Sequence, residues 1–167
     1  MQQAACVLAI ALILTSCSHT YYIVRHAEKA VPSAGVTMST PDDPPLSDAG
    51  SRRAEALKEV LKNKNITSIY STNTIRTRST AEPLSKSAGL TIQTYGPRPD
   101  SNFINNLKKL NSNILIVGHS NTVDDVVNGL VNHQELSDLA DGEYDNLFVV
   151  KYKNFFGRRI KYERQKY

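Results

Sequence analysis

Cysteine is scarce in this sequence. The 167 residues include only two, Cys6 and Cys17, and both lie close to the N-terminus. The rest of the chain has no thiol, so disulfides cannot hold its structure together. A domain of about 150 residues buries enough apolar surface to be stable without them. We therefore expect one globular domain, and we find no internal repeat or low-complexity tract.

Charge is missing from the start of the chain. Residues 1–16 contain no Asp, Glu, Lys or Arg, and residues 7–14 form one apolar run. This run is too short to span a bilayer as a mature helix. Because small residues follow it, it is typical of a secretory signal, although residues 1–3 lack the usual Lys or Arg. A buried N-terminal helix is the alternative, but nothing amphipathic in the segment supports it.

The end of this segment, Leu14-Thr15-Ser16-Cys17, resembles a bacterial lipobox, in which the Cys is lipidated and becomes the first residue. The resemblance implies a signal peptide at residues 1–16, a lipidated linker at 17–19 and a domain at 20–167. It also implies lipidation at Cys17 and a lipid anchor to a membrane of the bacterial cell envelope. The domain would then face the periplasm or the cell exterior.

Positive charge is in modest excess, and much of it lies at the C-terminal end. The formal net charge is +4, which favours anionic ligands without identifying one. From residue 151 onward seven Lys or Arg accompany one Glu. This end could contact nucleic acid or anionic lipid, or it could be an edge strand that charge protects from aggregation. We favour the edge strand because aromatic and charged residues alternate, and we expect no nucleic-acid partner and a monomeric chain.

Three apolar runs end abruptly in polar residues, and apolar residues at helical spacing follow the resulting loops. The runs lie at residues 21–24, 66–70 and 114–117. They are typical of buried parallel strands. Strand–helix alternation predicts an α/β fold, a three-layer sandwich with a mostly parallel central sheet flanked by helices. Residues 147–150 and 158–165, around a turn that contains Gly157, predict a final hairpin.

The polar ends of these strands carry two His and two Arg. Arg25 and His26 follow the first strand, Arg76 follows the second, and His119 follows the strand at 114–117. The carboxyl ends of parallel strands share one edge, so we expect these side chains to converge. Guanidinium groups and helix N-termini suit a phosphoryl group. An imidazole nitrogen could attack phosphorus and hold the phosphoryl group covalently.

With these residues in hand, the chain resembles the histidine phosphatase superfamily, whose fold is phosphoglycerate mutase-like. The family motif Arg-His-Gly is matched by Arg25-His26-Ala27, with Ala in place of Gly. The segment from Ser71 to Ala81 matches the motif that carries the second Arg, with Thr77 where Ala is usual. Further matches are Gly118-His119-Ser120 and Leu46-Ser47-x-x-Gly50. The small size is most similar to the short branch that includes phosphohistidine phosphatases.

The resemblance implies a function and residue roles. It implies a phosphatase that needs no metal or cofactor and hydrolyses a phosphomonoester or a phosphoramidate. His26 would be the nucleophile that becomes phosphorylated, while Arg25, Arg76 and His119 bind the phosphoryl group. Ser71 could add a hydrogen bond to it, as could Asn121. The partner would be a small phosphorylated substrate or a phosphoprotein.

The proton donor is left open by the sequence. A leaving alkoxide needs a general acid, and three carboxylates fall near the expected crevice: Glu28, Asp100 and Asp125. We favour Asp100, because larger family members place an acid in a corresponding loop. A phosphoramidate would need no strong acid, which fits the short branch.

Three other interpretations remain at this stage. A zinc site could use His26, His119 and a carboxylate, although the neighbouring Arg residues would repel a cation. A phosphoglycerate mutase-type phosphotransferase is possible, although the chain has little room for insertions that would enclose a substrate. The protein could also be a catalytically silent envelope lipoprotein that binds an anionic ligand.

Overall fold

The structure is a computed structural model that describes residues 17–31, 42–154 and 157–167. The predicted signal at residues 1–16 lies outside the described residues, as does most of the loop that we expected after His26. Four helices and six strands are present in the described part. In chain order they are β1 (Cys17–Arg25), α1 (Asp48–Leu61), β2 (Ile66–Thr72), α2 (Ile75–Ala88), β3 (Ile92–Tyr95), α3 (Ser101–Lys109), β4 (Asn113–Gly118), α4 (Val123–Val131), β5 (Asn146–Asn154) and β6 (Arg158–Lys166).

All six strands form one sheet, in the order β3-β2-β4-β1-β5-β6. β1, β2, β3 and β4 are parallel, whereas β5 and β6 add antiparallel pairs at one side. The predicted mostly parallel sheet and terminal hairpin are therefore confirmed. Because β1 and β4 are neighbours in the middle of the sheet, the polar segments after these two strands lie side by side.

The helices cover both faces of the sheet, as expected for a three-layer sandwich. On one face α3 and α4 pack on Tyr21, Ile23, Ile114 and Ile116. On the other face α1 and α2 pack on the alternate residues Tyr22, Val24, Leu115 and Val117. Successive side chains of a strand point to opposite faces, so each central strand contributes to both cores. This two-sided burial explains why the central strands are continuous apolar runs.

The helix boundaries follow local sequence signals. Ser47 is the N-cap of α1 and accepts a hydrogen bond from the backbone N–H of Gly50 at 3.1 Å. Gly89 ends α2 in the left-handed conformation with φ at 65°, which glycine adopts without steric cost. The sequence alone predicts both caps, because Ser47 precedes and Gly89 follows a run of apolar residues at helical spacing, and the structure confirms them. Among the described residues, no helix is both long and apolar enough to cross a bilayer.

β1 begins earlier than the sequence indicated. Its first residues pair with β5, with Cys17 opposite Asn154 and His19 opposite Tyr152. The predicted linker at 17–19 is therefore part of a strand, because β5 extends well past residue 150 and offers backbone partners down to Asn154. The His19 ring is buried and contacts the rings of Tyr21 and Tyr152.

Candidate active site

The four predicted His and Arg residues line a single crevice at the carboxyl edge of the parallel strands. The crevice has a volume of about 370 Å³. Its lining combines cations and imidazoles with a few neutral residues and one carboxylate. The lining residues are Arg25, His26, Lys29, Arg76, Pro97, His119, Ser120, Asn121 and Asp141.

The His26 ring is held so that one nitrogen remains for chemistry. Its backbone N–H donates to the Gly118 carbonyl at 2.9 Å, which joins the ends of β1 and β4. Its Nδ1 lies 2.8 Å from the Ala27 carbonyl oxygen. Because a carbonyl can only accept, Nδ1 must carry the proton, and the lone pair belongs to Nε2. A neutral imidazole in this tautomer is a nucleophile at Nε2.

The segment after His26 is fixed by α1 and α2. The Ala27 N–H donates to Thr80 Oγ1 at 2.9 Å, and that hydroxyl donates to the Arg76 carbonyl. The Glu28 carbonyl accepts from the Ser47 N–H at 2.9 Å. A Cβ at Gly50 would lie 2.1 Å from this carbonyl oxygen, so only glycine fits there. The Leu-Ser-x-x-Gly segment thus anchors the chain next to His26.

The Arg25 guanidinium is buried and held from one side. Its Nη1 donates to the carbonyls of Ala140 at 2.9 Å and Asp141 at 3.0 Å. Its Cζ lies 4.2 Å from the centre of the Tyr144 ring. Within the described part of the chain its buried Nε has no hydrogen-bond partner. An unpaired buried donor is costly, so Nε is available to an oxygen of a bound anion.

Arg76 lies at the start of α2 between an acid and an imidazole. Its Nη1 forms an ion pair with Asp43 Oδ1 at 3.0 Å. The other oxygen of Asp43 accepts from the Ile75 N–H at 2.9 Å, at the N-terminus of the same helix. Arg76 Nη2 lies 3.4 Å from His119 Nδ1. Asp43 therefore positions the guanidinium toward His119.

A chain of hydroxyl groups orients His119. Its Nε2 lies 2.9 Å from Thr72 Oγ1, which bonds Thr77 Oγ1 at 3.0 Å. Thr77 Oγ1 in turn donates to the Thr72 carbonyl at 2.9 Å. Since Arg76 is a donor to Nδ1, the consistent arrangement places the His119 proton on Nε2. The His119 and His26 rings meet edge to face, with their centroids 5.4 Å apart.

Comparison with known proteins agrees with this geometry. A sequence profile of the histidine phosphatase superfamily (branch 1) matches residues 21–96, the segment that contains Arg25, His26 and Arg76 but not His119. The solved protein histidine phosphatase SixA complexed with tungstate has a TM-score of 0.64 at 16% identity, over 88% of this chain and 96% of that one. The fold is that of the phosphoglycerate mutase-like histidine phosphatases.

Other relatives with this fold differ in their named activities. Mycobacterial glucosyl-3-phosphoglycerate phosphatase with inorganic phosphate has a TM-score of 0.63 at 13% identity, over 86% of this chain and 95% of that one. The "Probable phosphoglycerate mutase GpmB" of Yersinia pestis is 33% identical over 94 residues, 56% of this chain. That match spans only 39% of the Yersinia protein. The chain is thus similar in sequence to part of this superfamily, and it shares its fold with proteins that are named phosphatases.

The pKa values of both imidazoles in the crevice, those of His26 and His119, are far below that of a free histidine. Burial is the main cause that lowers the pKa of His26 to about 3, and the positive charge of Arg76 lowers it further. Burial and then Arg76 lower the pKa of His119 to about 4, while Asp43 acts in the opposite direction. Both rings are therefore neutral near pH 7, which leaves Nε2 of His26 free to attack an electrophile.

Two residues, Ser71 and Asn121, were expected to donate a hydrogen bond to the phosphoryl group, and their positions in the structure differ. Asn121 lines the crevice with Ser120. Ser71 is fully buried in β2, and its hydroxyl donates to the Thr72 carbonyl at 2.9 Å. The sequence analysis missed Asp43, Thr72 and Tyr144. In the sequence, Thr77 stood out only because the family usually has Ala there. This difference was the one sequence feature that could have indicated the hydroxyl chain to His119.

The three candidate proton donors are not brought into the crevice. Glu28 accepts from Arg53 through both oxygens, with a shortest distance of 2.6 Å, and Arg53 lowers its pKa. Asp100 caps α3 by accepting from the Phe103 N–H at 2.7 Å. Asp100 and Asp125 line a different cavity of about 400 Å³. Among the described residues that line the crevice, the carboxylate is that of Asp141.

The described residues include no group of three or more His, Cys, Asp or Glu that could hold a metal ion. In particular, the two imidazoles of the crevice face Arg25 and Arg76, and no carboxylate completes a set of ligands with them among the described residues. The zinc interpretation therefore finds no ligand set in the part of the chain that the structure describes.

Proposed function

We propose that the protein is a metal-independent phosphatase that hydrolyses a phosphomonoester or a phosphoramidate through a phosphohistidine on His26. The observation that carries the proposal is the hydrogen bond from His26 Nδ1 to the Ala27 carbonyl at 2.8 Å. It leaves Nε2 unprotonated beside two guanidinium groups and a second imidazole. This combination suits attack on a phosphorus atom that carries negative oxygens.

In the first step the Nε2 lone pair attacks phosphorus and a new N–P bond forms. The bond from phosphorus to the leaving oxygen or nitrogen breaks, and its electron pair stays with the leaving group, which takes up a proton. Nδ1 keeps its proton because the Ala27 carbonyl continues to accept it. The phosphorylated ring is therefore cationic, which makes the imidazole a good leaving group for the second step.

In the second step water attacks phosphorus from the side opposite His26. The N–P bond breaks, its electron pair returns to Nε2, and both protons of the water stay with the product, which leaves as dihydrogen phosphate and gives one proton to solvent near pH 7. Arg25 and Arg76 would hold equatorial oxygens throughout, and His119 would donate to a third once the bound anion brings a second proton onto its ring at Nδ1. Charge on these oxygens grows in the transition state, so donors fixed before the reaction stabilise it more than water does. The loop carbonyls that hold Arg25 provide such fixation.

The identity of the substrate class is suggested by two observations. No carboxylate contacts His26 or His119 among the described residues, while a phosphoramidate nitrogen leaves without a strong acid. A relative of the same fold is named a protein histidine phosphatase. Both support phosphohistidine, in a protein or a small molecule, as the first substrate to assay.

A mutase-type phosphotransferase is the second candidate, because of the relative named as a phosphoglycerate mutase. A mutase must return the phosphoryl group to its own product, whereas a phosphatase gives it to water. The two are distinguished by adding phosphoglycerate to the phosphorylated enzyme. We expect release of inorganic phosphate at an unchanged rate, and transfer to phosphoglycerate would favour the mutase.

The test of the proposed function is a quenched-flow experiment with a labelled aryl phosphate or with phosphohistidine. We expect a labelled protein that is stable in alkali and labile in acid, and phosphate release that EDTA leaves unchanged. His26→Ala should abolish both labelling and turnover. Arg52→Gln is the matched control, because Arg52 is exposed on α1 and outside the crevice.

Three results would contradict the proposal. Full turnover by His26→Ala would show that another residue is the nucleophile. Strict dependence on a divalent ion would show that the chemistry is metal-assisted. Tight binding of phosphate with no turnover on any substrate would leave the silent anion-binding lipoprotein as the better interpretation.

A further inference from the structure

The end of the sheet opposite the crevice, where β1 begins, carries a cluster of cations. The first residue of β1, Cys17, lies there, as does the end of β5 with its partner strand β6. Lys151 and Lys153 lie directly opposite Lys161 and Arg159 in the β5–β6 ladder. We call these four side chains the basal cluster. Like charges placed opposite each other in a sheet are destabilising, so the arrangement calls for an explanation.

Within the described part of the chain, one carboxylate offsets the basal cluster. Glu163 bonds Lys151 at 2.9 Å and Lys161 at 2.8 Å. Lys153 and Arg159 are exposed and form no ion pair with a described residue. The cluster therefore has a net positive charge directed at solvent.

Protection of the edge strand β6 accounts for Arg159 and Lys161 but not for the two lysines of β5. Charged residues protect an edge strand from aggregation when they lie on that strand. β6 is the edge, but Lys151 and Lys153 belong to β5, which pairs with β1 on one side and β6 on the other. An inner strand has no free backbone groups to protect, so its two lysines serve another purpose.

More cations surround the same end of the sheet. Lys64 ends the turn after α1, and its carbonyl accepts from Asn113 Nδ2 at 2.7 Å. Asn113 Oδ1 accepts from the Thr20 N–H, which places this turn beside the start of β1. The C-terminus of α3, with Lys108 and Lys109, reaches β1 through the Tyr21 hydroxyl and the Leu107 carbonyl. The positive surface thus extends from β6 across the sheet.

Acidic residues gather at the other end of the molecule. Asp43 contacts Arg76, Asp141 lines the crevice, and Asp145 pairs with Lys166 at the far end of β6. Asp48 and Asp100 lie at the starts of α1 and α3, on the crevice side. These acids offset cations at the crevice end, whereas among the described residues Glu163 alone pairs with the basal cluster.

We propose that the basal cluster docks the protein on an anionic lipid bilayer, with the catalytic crevice pointing away from it. Lysine and arginine side chains near an anionic bilayer gain favourable electrostatic energy. Cys17, where we infer lipidation, pairs with Asn154 at the same end of the sheet. The acyl chain and the cations would therefore contact the bilayer together. Stable attachment generally needs two such signals.

The experiment is flotation of the full chain with vesicles. One set of vesicles is pure phosphatidylcholine, and the other is phosphatidylcholine and phosphatidylglycerol in equal parts. Because the apolar residues 1–16 can bind either set, the measured quantity is the ratio of the two partition coefficients. We expect a ratio well above one at low salt that falls toward one at high salt.

The variant Lys153→Gln/Arg159→Gln tests the surface. Both side chains are exposed, so the fold should tolerate the changes. The ratio should fall roughly thirtyfold, at about 1 kcal/mol for each cation near the surface. The matched control is Arg52→Gln/Arg98→Gln, which changes the net charge equally but alters two exposed residues at the crevice end. An equal fall in both variants would overturn the proposal, as would no fall in either.

Lysine acylation read by mass spectrometry tests the orientation. Anionic vesicles should protect Lys153 and Lys161 and leave Lys29, in the crevice, as reactive as in solution. Protection of Lys29 instead would place the wrong end on the bilayer.

Preference for duplex DNA over anionic vesicles at the same salt would assign the basal cluster to nucleic acid and overturn the proposal.

Discussion

Asp43 contacts Arg76 through one carboxylate oxygen at 3.0 Å and the N-terminus of α2 through the other. One acid thus fixes both a guanidinium group of the crevice and the backbone that carries it. The acid also affects His119, since its negative charge opposes the factors that depress the pKa of that ring.

The first prediction concerns this pair. Asp43→Asn should lower the pKa of His119 below about 4, because the charge that raises it is gone. The guanidinium loses its ion pair, so turnover should fall roughly fivefold, the range for a partly exposed pair. NMR of the His119 ring measures the pKa, and steady-state kinetics measures turnover. Asp42→Asn is the neighbouring control. A higher pKa for His119 in Asp43→Asn would contradict this account of the electrostatics.

The second prediction concerns stability in acid. The unfolded chain has His pKa values near 6.5, whereas burial lowers that of His26 to about 3 in the folded state. Below about pH 6.5 the unfolded state therefore binds more protons, and the free energy of unfolding falls as the pH drops toward 3. The loss in melting temperature from about pH 7 to about pH 5 should be smaller for His26→Gln than for the native chain.

Ser120→Ala is the control for this comparison, because it changes a crevice residue that has no charge to gain. It should melt with the native pH dependence. Differential scanning calorimetry gives the midpoints. If His26→Gln and the native chain lost the same amount on acidification, the titration of His26 would not be coupled to folding.

The third prediction concerns the proton donor. Asp141 lines the crevice, and its backbone carbonyl contacts Arg25. If it protonates the leaving group, Asp141→Asn should slow an alkyl phosphate by roughly two to four orders of magnitude. A nitrophenyl ester should lose much less, because its leaving group needs little help. Asp100→Asn and Asp125→Asn are controls from the other cavity and should leave both rates near the native values.

Equal losses on both esters in Asp141→Asn would assign that residue to positioning of Arg25. Absence of a leaving-group effect in Asp141→Asn, Glu28→Gln, Asp100→Asn and Asp125→Asn would indicate that no carboxylate acts as the acid. Phosphohistidine would then be the substrate class that the kinetics favour.

The fourth prediction concerns the anchor. If Cys17 is lipidated, the protein should fractionate with the cell envelope and begin at residue 17. Cys17→Ala should stall processing or release the protein from membranes, whereas Cys6→Ala should change neither. Mass spectrometry of the purified N-terminus and membrane fractionation decide the matter. An unprocessed protein in the cytoplasmic fraction that begins at Met1 would contradict the lipobox interpretation.

Much of this molecule follows from patterns within short segments. The apolar strands, the Ser47 cap and the Gly89 cap depend on neighbouring residues, and the sequence predicted them correctly. The convergence of Arg25, His26 and His119 follows from parallel topology alone.

What the sequence did not predict depends on contacts between distant segments. The ion pair of Arg76 with Asp43 joins helix α2 to the loop before α1. The packing of Tyr144 on Arg25 requires the loop before β5 to return over the crevice. The early start of β1 is set by its partner, β5, and not by its own composition. Periodicity contains no information on such pairs.

The position of β1 in the sheet has a consequence for synthesis. β1 comes first in the described chain, yet its two neighbours are β4 and β5, which come near the end. Such distant pairing means that closing a long loop precedes any stabilising contact, and folding is slow. While the chain is being made, β1, which leads into His26, lacks its two neighbouring strands until residues 113–118 and then 146–154 have emerged. The crevice at the end of β1 therefore cannot assemble until β4 and β5 have been made.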